Sequence, residues 1–513
     1  MLLWFVILYL MISVGIGLFA ATRVHSAKDF AVAGRSLPLP VVIGTVFATW
    51  FGAESVFGIS STFVKDGLGG VVADPFGSSL CLIFAGILFS RYLYRLNIIT
   101  LGDFYHLRYN RTVEVITTLC IVISYLGWVA AQIKALGLLF ATVTDGGVSV
   151  EAGMIIGMFL VLTYTVFGGM FSVAILDFVQ MLVMIGGLLF IAWFISGKVD
   201  GGAGTVIQHA ADAGKFKFFP DADPLLWLNF IGMGMTMMLG SIPQQDVFQR
   251  ITSAKSARVA LWGSVIGASL YFVFTFVPMF IAYAGTLIDP ALGAMVSEEA
   301  EQIVPKLVGT HTPLFAQILF YGAILSAIMS TASATLLAPS VTFAENVIRG
   351  FFPSLGDHRF LWLMRGTLVV FSGMVLAFAL NSESSIYKMV ENAYKVTLAG
   401  AFVPLVFGIL WKRATIQGAL AAIFGGLVSW LLVEVVIMGG GDGGAYAYAL
   451  IGEQGVPPQL VGLAVSALGM VAGSLLPQWV GHKRPGRPLH ELQHHAAMET
   501  HHAAHVGEHP HHH

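Results

Sequence analysis

Three short stretches place oxygen-bearing side chains inside runs that are otherwise apolar. The first, TWFGAES over residues 49–55, sets Glu54 and Ser55 beside Gly52 in a run long enough to cross a bilayer. A carboxylate at that depth is costly, and such residues usually face a cavity rather than lipid. The second, LGSIPQQDVFQR over residues 239–250, gathers Gly240, Pro243, Gln244 and Gln245. Proline removes a helical donor and obstructs the carbonyl four residues back, so backbone oxygens are freed. The third, AILSAIMSTASATLL over residues 323–337, puts Ala327, Ser330 and Ser333 three apart on one helical face with Thr331 beside them. Hydroxyls and freed carbonyls together can replace the water shell of a hard cation such as sodium, by the logic of calcium and magnesium sites. Serine and threonine at this spacing also bond their own helix or form small-residue packing seams, so both readings stay open here.

The elements that must position these groups are membrane helices. Of the 513 residues 57% are hydrophobic and only 11% charged, against roughly 25% charged in soluble domains. The 58 glycines suit helices that pack closely in lipid, where small residues let backbones approach. Apolar runs near the ~20 residues of one crossing predict about thirteen spans: about 2–21, 38–64, 69–95, 113–143, 148–168, 171–196, 224–248, 258–285, 312–347, 360–380, 385–410, 415–438 and 457–480. The second and seventh carry the two breaks, and matched interruptions five spans apart are the mark of inverted repeats with a site between them.

Basic residues fall in alternate loops: Arg23, Lys28 and Arg35, then Arg91, Arg95, Arg108 and Arg111, then Arg250, Lys255 and Arg258. Arg349, Arg359, Arg365, Lys412 and Arg413 follow on the same side, while the opposite loops hold chiefly Lys198, Lys215 and Lys217. That asymmetry predicts an N-terminus outside and a C-terminus in the cytoplasm. The first run, from Leu2, lacks a positive leading region and reads as a retained helix.

Several classes are disfavoured. A net charge of −2 without a basic cluster gives nothing for nucleic acid. Cys81 and Cys120 both lie in predicted spans and offer neither a disulfide framework nor a metal spacing. The run GGGDGG at 439–444 lacks the Lys-Ser/Thr of a phosphate loop, and no catalytic cluster is evident, so no enzyme activity is expected. The tail ends in HHAAMETHHAAHVGEHPHHH, whose imidazoles suit zinc, nickel or copper, though the composition better fits a solvated disordered tail.

Five separated motifs, DFAVAGRSL, ITLGDFYHLRY, YTVFGGMFSVAILDFVQ, IMSTASATLLAPS and NAYKVTLAGAFVPLVFGILWKRAT, resemble the sodium/solute symporter family, in order and to about residue 480. The resemblance implies an all-α polytopic membrane protein of the LeuT type: two inverted five-helix repeats with one extra helix before and two after. The implied organisation is an N-terminal helix and cytoplasmic loop (1–37), a first repeat (38–196), an extracellular loop (197–223), a second repeat (224–410), two C-terminal helices (411–480) and a His-rich cytoplasmic tail (481–513). It also implies a sodium ion held by the carbonyls of Ala48, Phe51 and Ala327 and the hydroxyls of Ser330 and Thr331. Some relatives hold a second sodium with an aspartate matching Asp177 and two hydroxyls; Ser333 matches one, but Ala334 replaces the other. Asp177 and Ser333 are therefore expected either at a second ion or on an ion exit route.

Around the breaks the sequence looks closest to high-affinity choline transporters, with partial similarity to proline transporters. The choline group holds a quaternary ammonium in an aromatic cage by cation–π attraction. Trp50 and Trp128 match two cage positions, while Gln244 stands where the cage has a third tryptophan and Ser78 where it has a tyrosine. Asp74 and Lys134 add charges of either sign near the implied pocket. The expected substrate site is thus Trp50, Glu54, Ser55, Asp74, Ser78, Trp128, Lys134, Gln244 and Gln245. The competing reading pairs Glu54 or Asp74 with Lys134 or Lys395 as buried structural ion pairs.

Together these point to sodium-coupled import of a small polar or zwitterionic solute, an amino acid or derivative, across the plasma (inner) membrane by alternating access. The expected partners are the solute, sodium and the lipid bilayer, with no cofactor and no obligate protein partner. The alternatives are a quaternary amine such as choline as cargo, a proton as driver with Glu54 or Asp177 titrating, and a non-transporting solute sensor.

Overall fold

The computed structural model describes residues 1–294, 301–382, 386–437, 456–480 and 491–493. The glycine run at 439–444 and nearly all of the His-rich tail lie outside these residues. Within them the chain is helical, with one isolated bridge between Leu37 and Ala254.

The helices that build the site and its frame begin with α1 (Leu2–Arg23), α2 (Leu39–Trp50), α3 (Glu54–Asp66), α4 (Val72–Leu96), α5 (Arg111–Val143), α6 (Val150–Ser196), α7 (Pro224–Gly240), α8 (Gln245–Thr252) and α9 (Ala257–Ile288). They continue with α10 (Leu314–Phe351), α11 (Asp357–Asn381), α12 (Ile386–Gly400), α13 (Phe402–Leu410), α14 (Ile416–Glu434) and α15 (Pro458–Leu475). Polar caps begin many of them: Asn110, Ser149, Ser256 and Thr415 each accept a backbone N–H of the first turn, at 3.0–3.2 Å.

Among the described residues nine helices are long and apolar enough to cross a membrane, or up to twelve if each bent pair is one span. The sequence count of about thirteen differs in one place above all. The fifth and sixth expected spans are drawn as the single 47-residue helix α6. At about 1.5 Å per residue that would run about 70 Å, more than twice a hydrocarbon core of about 30 Å. Gly169 interrupts it with φ 51° and ψ −136°. A Cβ there would lie 2.5 Å from the Phe30 carbonyl oxygen, so only glycine fits this close approach.

Both sequence-predicted breaks are real bends. α2 and α3 meet at 56°, and α7 and α8 at 47°. A third, not expected from sequence, bends Ala393–Gly400 against α13 by 44°. Pro404 explains it, because it has no N–H for the Gly400 carbonyl four residues back. The segment expected as an extracellular loop also contains a helix, Ala203–Asp212.

α10 is the central element, packed on α5, α6 and α2, while α2 also lies against α9. α5 packs along α12, and α14 pairs with α15. Large apolar side chains such as Trp4, Phe159, Trp193, Val273, Val370 and Leu468 are exposed, as a lipid-facing surface requires. The polar groups turn inward: Glu54, Asp74, Asp177, Asp246 and Arg250 are all buried.

Candidate functional site

The first break frees backbone at the end of α2. The Ala48 carbonyl accepts two hydroxyls from α10, Ser330 Oγ at 2.5 Å and Thr331 Oγ1 at 3.3 Å. Gly52 makes this approach feasible: a Cβ on it would collide with Thr331 Oγ1 and lie 2.7 Å from Gln132 Oε1. Ala327 lies one turn before Ser330, and Phe51 lies at the bend with φ −87° and ψ 80°; both are buried. Ser333 turns its hydroxyl to the Ser330 carbonyl at 3.0 Å.

Asp177, from α6, faces the same end of α2. Its Oδ2 accepts Thr45 Oγ1 at 2.8 Å and lies 3.5 Å from Thr49 Oγ1. Its Oδ1 is buried with no hydrogen-bond partner among the described residues. A bare carboxylate oxygen beside a break with two hydroxyls is chemically suited to a small cation.

The solute-side residues divide into three groups. In the first, Gln132 of α5 clamps the bend: its Oε1 accepts the Ala53 N–H at 2.9 Å and its Nε2 donates to Glu54 Oε2 at 2.7 Å. In the second, Asp74 Oδ1 accepts Ser78 Oγ at 2.6 Å and Tyr271 Oη at 2.5 Å, and Ser55 Oγ lies 3.3 Å from that tyrosine. In the third, Trp50 Nε1 donates to Asp246 Oδ2 at 2.8 Å, and Tyr125 Oη bonds Asp246 Oδ1. Trp50 and Trp128 meet edge to face at 5.9 Å, Tyr125 stacks on Trp128 at 5.9 Å, and Tyr394 lies 5.6 Å from Trp128 and 6.4 Å from Trp50.

The second break is tied differently. Gln244 Nε2 donates to Ser124 Oγ at 3.1 Å and Thr397 Oγ1 at 3.2 Å, and Thr397 donates to the Gly240 carbonyl at 2.6 Å. Arg250, counted among loop charges from sequence alone, is instead buried. Its Nε donates to Thr49 Oγ1 at 2.9 Å, and its Nη1 contacts the Asp246 carbonyl at 3.4 Å and Gln249 Oε1 at 3.2 Å. Two buried acids, Asp177 and Asp246, supply the opposing charge that lets this guanidinium stay buried.

Two expected substrate residues depart from the group. Gln245 ties down the start of the short helix Leu101–Arg108 before α5, accepting the Leu101 N–H at 2.9 Å and donating to the Ile99 carbonyl at 3.1 Å. Lys134 is half-buried, and two residues beyond Gln132 places it about 200° round α5, off the face that touches the bend. In the competing ion-pair reading, Lys395 reaches Glu434 at 3.4 Å.

The sequence reading missed Asp246, Gln132, Tyr125, Tyr271, Tyr394, Thr45, Thr49 and Arg250. Spacing held a partial signal: Tyr125, Trp128 and Gln132 are three and four apart, as one helical face requires, and Thr45/Thr49 and Asp246/Arg250 are each four apart. Outside the ring cluster, a void of about 10 Å³ lies between Trp50, Asp246, Thr49 and Arg250 on one side and Val46, Leu82 and Ser264 on the other, room for about one water.

Known proteins resemble this chain in sequence and in fold. A model of the sodium:solute symporter family matches residues 30–426. The high affinity choline transporter 1 of Homo sapiens is 27% identical over 470 residues, covering 88% of this chain and 79% of the relative. The sodium/proline symporter of Escherichia coli (strain K12) is 27% identical over 469 residues, covering 85% and 90%. Among solved structures, a Na+-coupled sialic acid symporter in a substrate-bound outward-open state superposes with a TM-score of 0.76 at 19% identity, covering 95% of this chain and 99% of that one. That last likeness speaks to the fold.

Proposed function

Because the chain belongs to the sodium:solute symporter family, an integral membrane family of transporters rather than enzymes, we propose that sodium drives import of a small polar or zwitterionic solute. The cargo is an amino acid or derivative, carried by alternating access across the plasma membrane. The observation that carries this reading is the Ala48 carbonyl, freed at the bend and met by Ser330 and Thr331 of α10. In the ion-bound state these oxygens, with the Phe51 and Ala327 carbonyls, would replace sodium's water. Asp177, with one bare oxygen, supports a cation visiting on its way out or at a second site.

The architecture we propose is two inverted repeats, 38–196 and 224–410, with α1 before and α14 and α15 after. Dividing α6 at Gly169 and counting each bent pair once makes thirteen crossings. A parallel in the bonding supports the repeat: α10 supplies Ser330 to the first break, and α5 supplies Ser124 to Gln244 at the second. The N-terminus then lies outside and the C-terminus in the cytoplasm.

In the cycle, sodium from outside joins α2 to α10 and fixes the backbone at Trp50–Glu54. The solute enters between Trp50, Trp128, Glu54 and Asp74, and the outer path closes. Sodium leaves past Asp177, the α2–α10 join loosens, and the solute exits after it. One charge moving inward across 100 mV supplies about 2.3 kcal/mol, worth about a fiftyfold solute gradient before the sodium gradient is added. Uptake into proteoliposomes, with sodium and with a proton gradient in sodium-free buffer, tests the driver. Ser330→Ala is expected to abolish sodium dependence while the protein stays folded; unchanged sodium dependence removes the ion assignment.

A second reading, a quaternary amine such as choline as cargo, is favoured by the packed rings of Trp50, Trp128, Tyr125 and Tyr394 and by the relative in Homo sapiens. Competition of labelled choline by amino acids separates the two.

A further inference from the structure

Asp246 has no part in the ion site, yet it sits at the centre of the aromatic cluster. We propose that Asp246, with the rings of Trp50, Trp128, Tyr125 and Tyr394, forms a subsite for the protonated nitrogen of the solute, selecting an ammonium that carries at least one N–H. This rests on the symport reading above and names the end of the solute that enters here.

Position comes first. Asp246 is the second residue of α8, directly after the break, and is fully buried. An aspartate in a first turn is also favoured by the helix N-terminus alone. Here, however, the carboxylate is held from outside its helix, by Trp50 of α2 and Tyr125 of α5. Each oxygen thus holds one side-chain donor, and a carboxylate offers about four acceptor sites. Two remain for an incoming N–H.

The surroundings match a cation. Four rings from α2, α5 and α12 meet within 5.6–6.4 Å, and ring faces attract an ammonium. The Tyr394 hydroxyl is buried with no hydrogen-bond partner among the described residues. An unsatisfied buried group is costly to keep, so a ligand that bonds it gains what the protein alone forgoes. This hydroxyl can accept a second N–H from the solute. Charge agrees: Glu54, Asp74, Asp177 and Asp246 are buried around the breaks, with Arg250 as the fully buried base beside them.

An N–H is the discriminating feature. A quaternary nitrogen satisfies ring faces but cannot donate to the two remaining carboxylate sites. The rings already pack at 5.6–6.4 Å, so the ammonium must part them and shift Trp50 to reach the two open carboxylate sites. Trp50 ends α2, two residues after Ala48, so its release moves the hinge that carries the ion-site carbonyl.

The test uses the purified full-length protein and thermal stabilisation. Sodium against potassium, with no solute, is measured first. Absence of a sodium effect counts against the symport reading alone, and the amine series bears on the subsite. In that series ethanolamine, its N-methyl and N,N-dimethyl forms, choline and ethylene glycol are titrated in sodium buffer. The expected result is binding of the first three, choline about tenfold weaker than the dimethyl form, as for loss of one charge-assisted hydrogen bond, and no effect of ethylene glycol. Choline binding as tightly as the dimethyl form, or no binding by any of the amines, overturns the proposal. Asp246→Asn is expected to erase the step between dimethyl and trimethyl nitrogen and Asp246→Glu to keep it; full preference in Asp246→Asn also overturns it. Should either variant fail to fold, the wild-type series decides.

Discussion

Arg250 and Thr49, 201 positions apart, meet inside the protein at 2.9 Å, the guanidinium Nε donating to the threonine hydroxyl. The contact joins the two broken helices, since Thr49 lies in the last turn of α2 and Arg250 on α8. It also joins two chemistries. Thr49 lies 3.5 Å from Asp177 on the ion side, and Asp246, one turn before Arg250, holds Trp50 on the solute side.

Removing Arg250 should therefore be severe. Arg250→Met leaves Asp177 and Asp246 without their buried counter-charge, a loss expected to destabilise by about 3–5 kcal/mol. Arg250→Lys keeps the charge but not the fork of donors, and should fold while transporting less solute per sodium. Thermal unfolding of the purified variants and paired sodium and solute flux measure both; a stable, fully coupled Arg250→Met would contradict the assignment.

Gly52→Ala drives a methyl into Thr331 and Gln132, and overpacking of this kind costs about 1–3 kcal/mol. The sodium concentration for half-maximal uptake should rise. Gly186→Ala, where a Cβ meets nothing within 4 Å, is the matched control and should leave it unchanged.

Gln132→Leu strips the partner from both the Ala53 N–H and the Glu54 carboxylate. Leaving buried groups unsatisfied costs about 1–3 kcal/mol each. Uptake should fall with folding yield, whereas a surface glutamine such as Gln208 replaced by leucine should change neither.

The adjacent glutamines should behave differently. Gln245→Ala frees the loop at residues 99–101 and is expected to lower the maximal transport rate with little change in solute half-saturation. Gln244→Ala loosens the second break near the rings and should raise the half-saturation concentration. Equal effects on both parameters in the two variants would argue against separate roles.

His106 lies outside the spans, with Nδ1 2.7 Å from Glu114 Oε2, and this hydrogen bond pushes the imidazole above its ordinary 6.5. A raised histidine contributes stability that is fully present below 6.5 and is lost as pH rises through the raised value. The unfolding temperature of wild type should exceed that of His106→Gln at acidic pH, and the gap should close as pH rises through the raised value. The side chain is half exposed, so the gap will be small.

Much of this protein was legible in residue order. Long apolar runs define helices because lipid offers the backbone no other partner. Gly52 and Pro243 mark bends because one lacks a side chain and the other lacks a donor, and Ser330 with Thr331 announces oxygen on one face of α10. These are local properties, fixed by neighbours along the chain. The identity of contacts was not local. Arg250 reads as a loop charge until folding sets it between acids from α6 and α8, and Gln245 reads as a pocket residue until the loop at 99–101 arrives to bind it. Asp246 shows in sequence only its four-residue spacing from Arg250; the approach of α2 and α5 gives it Trp50 and Tyr125. A side chain's type is written in the chain, but its partner is chosen by packing among helices hundreds of residues apart.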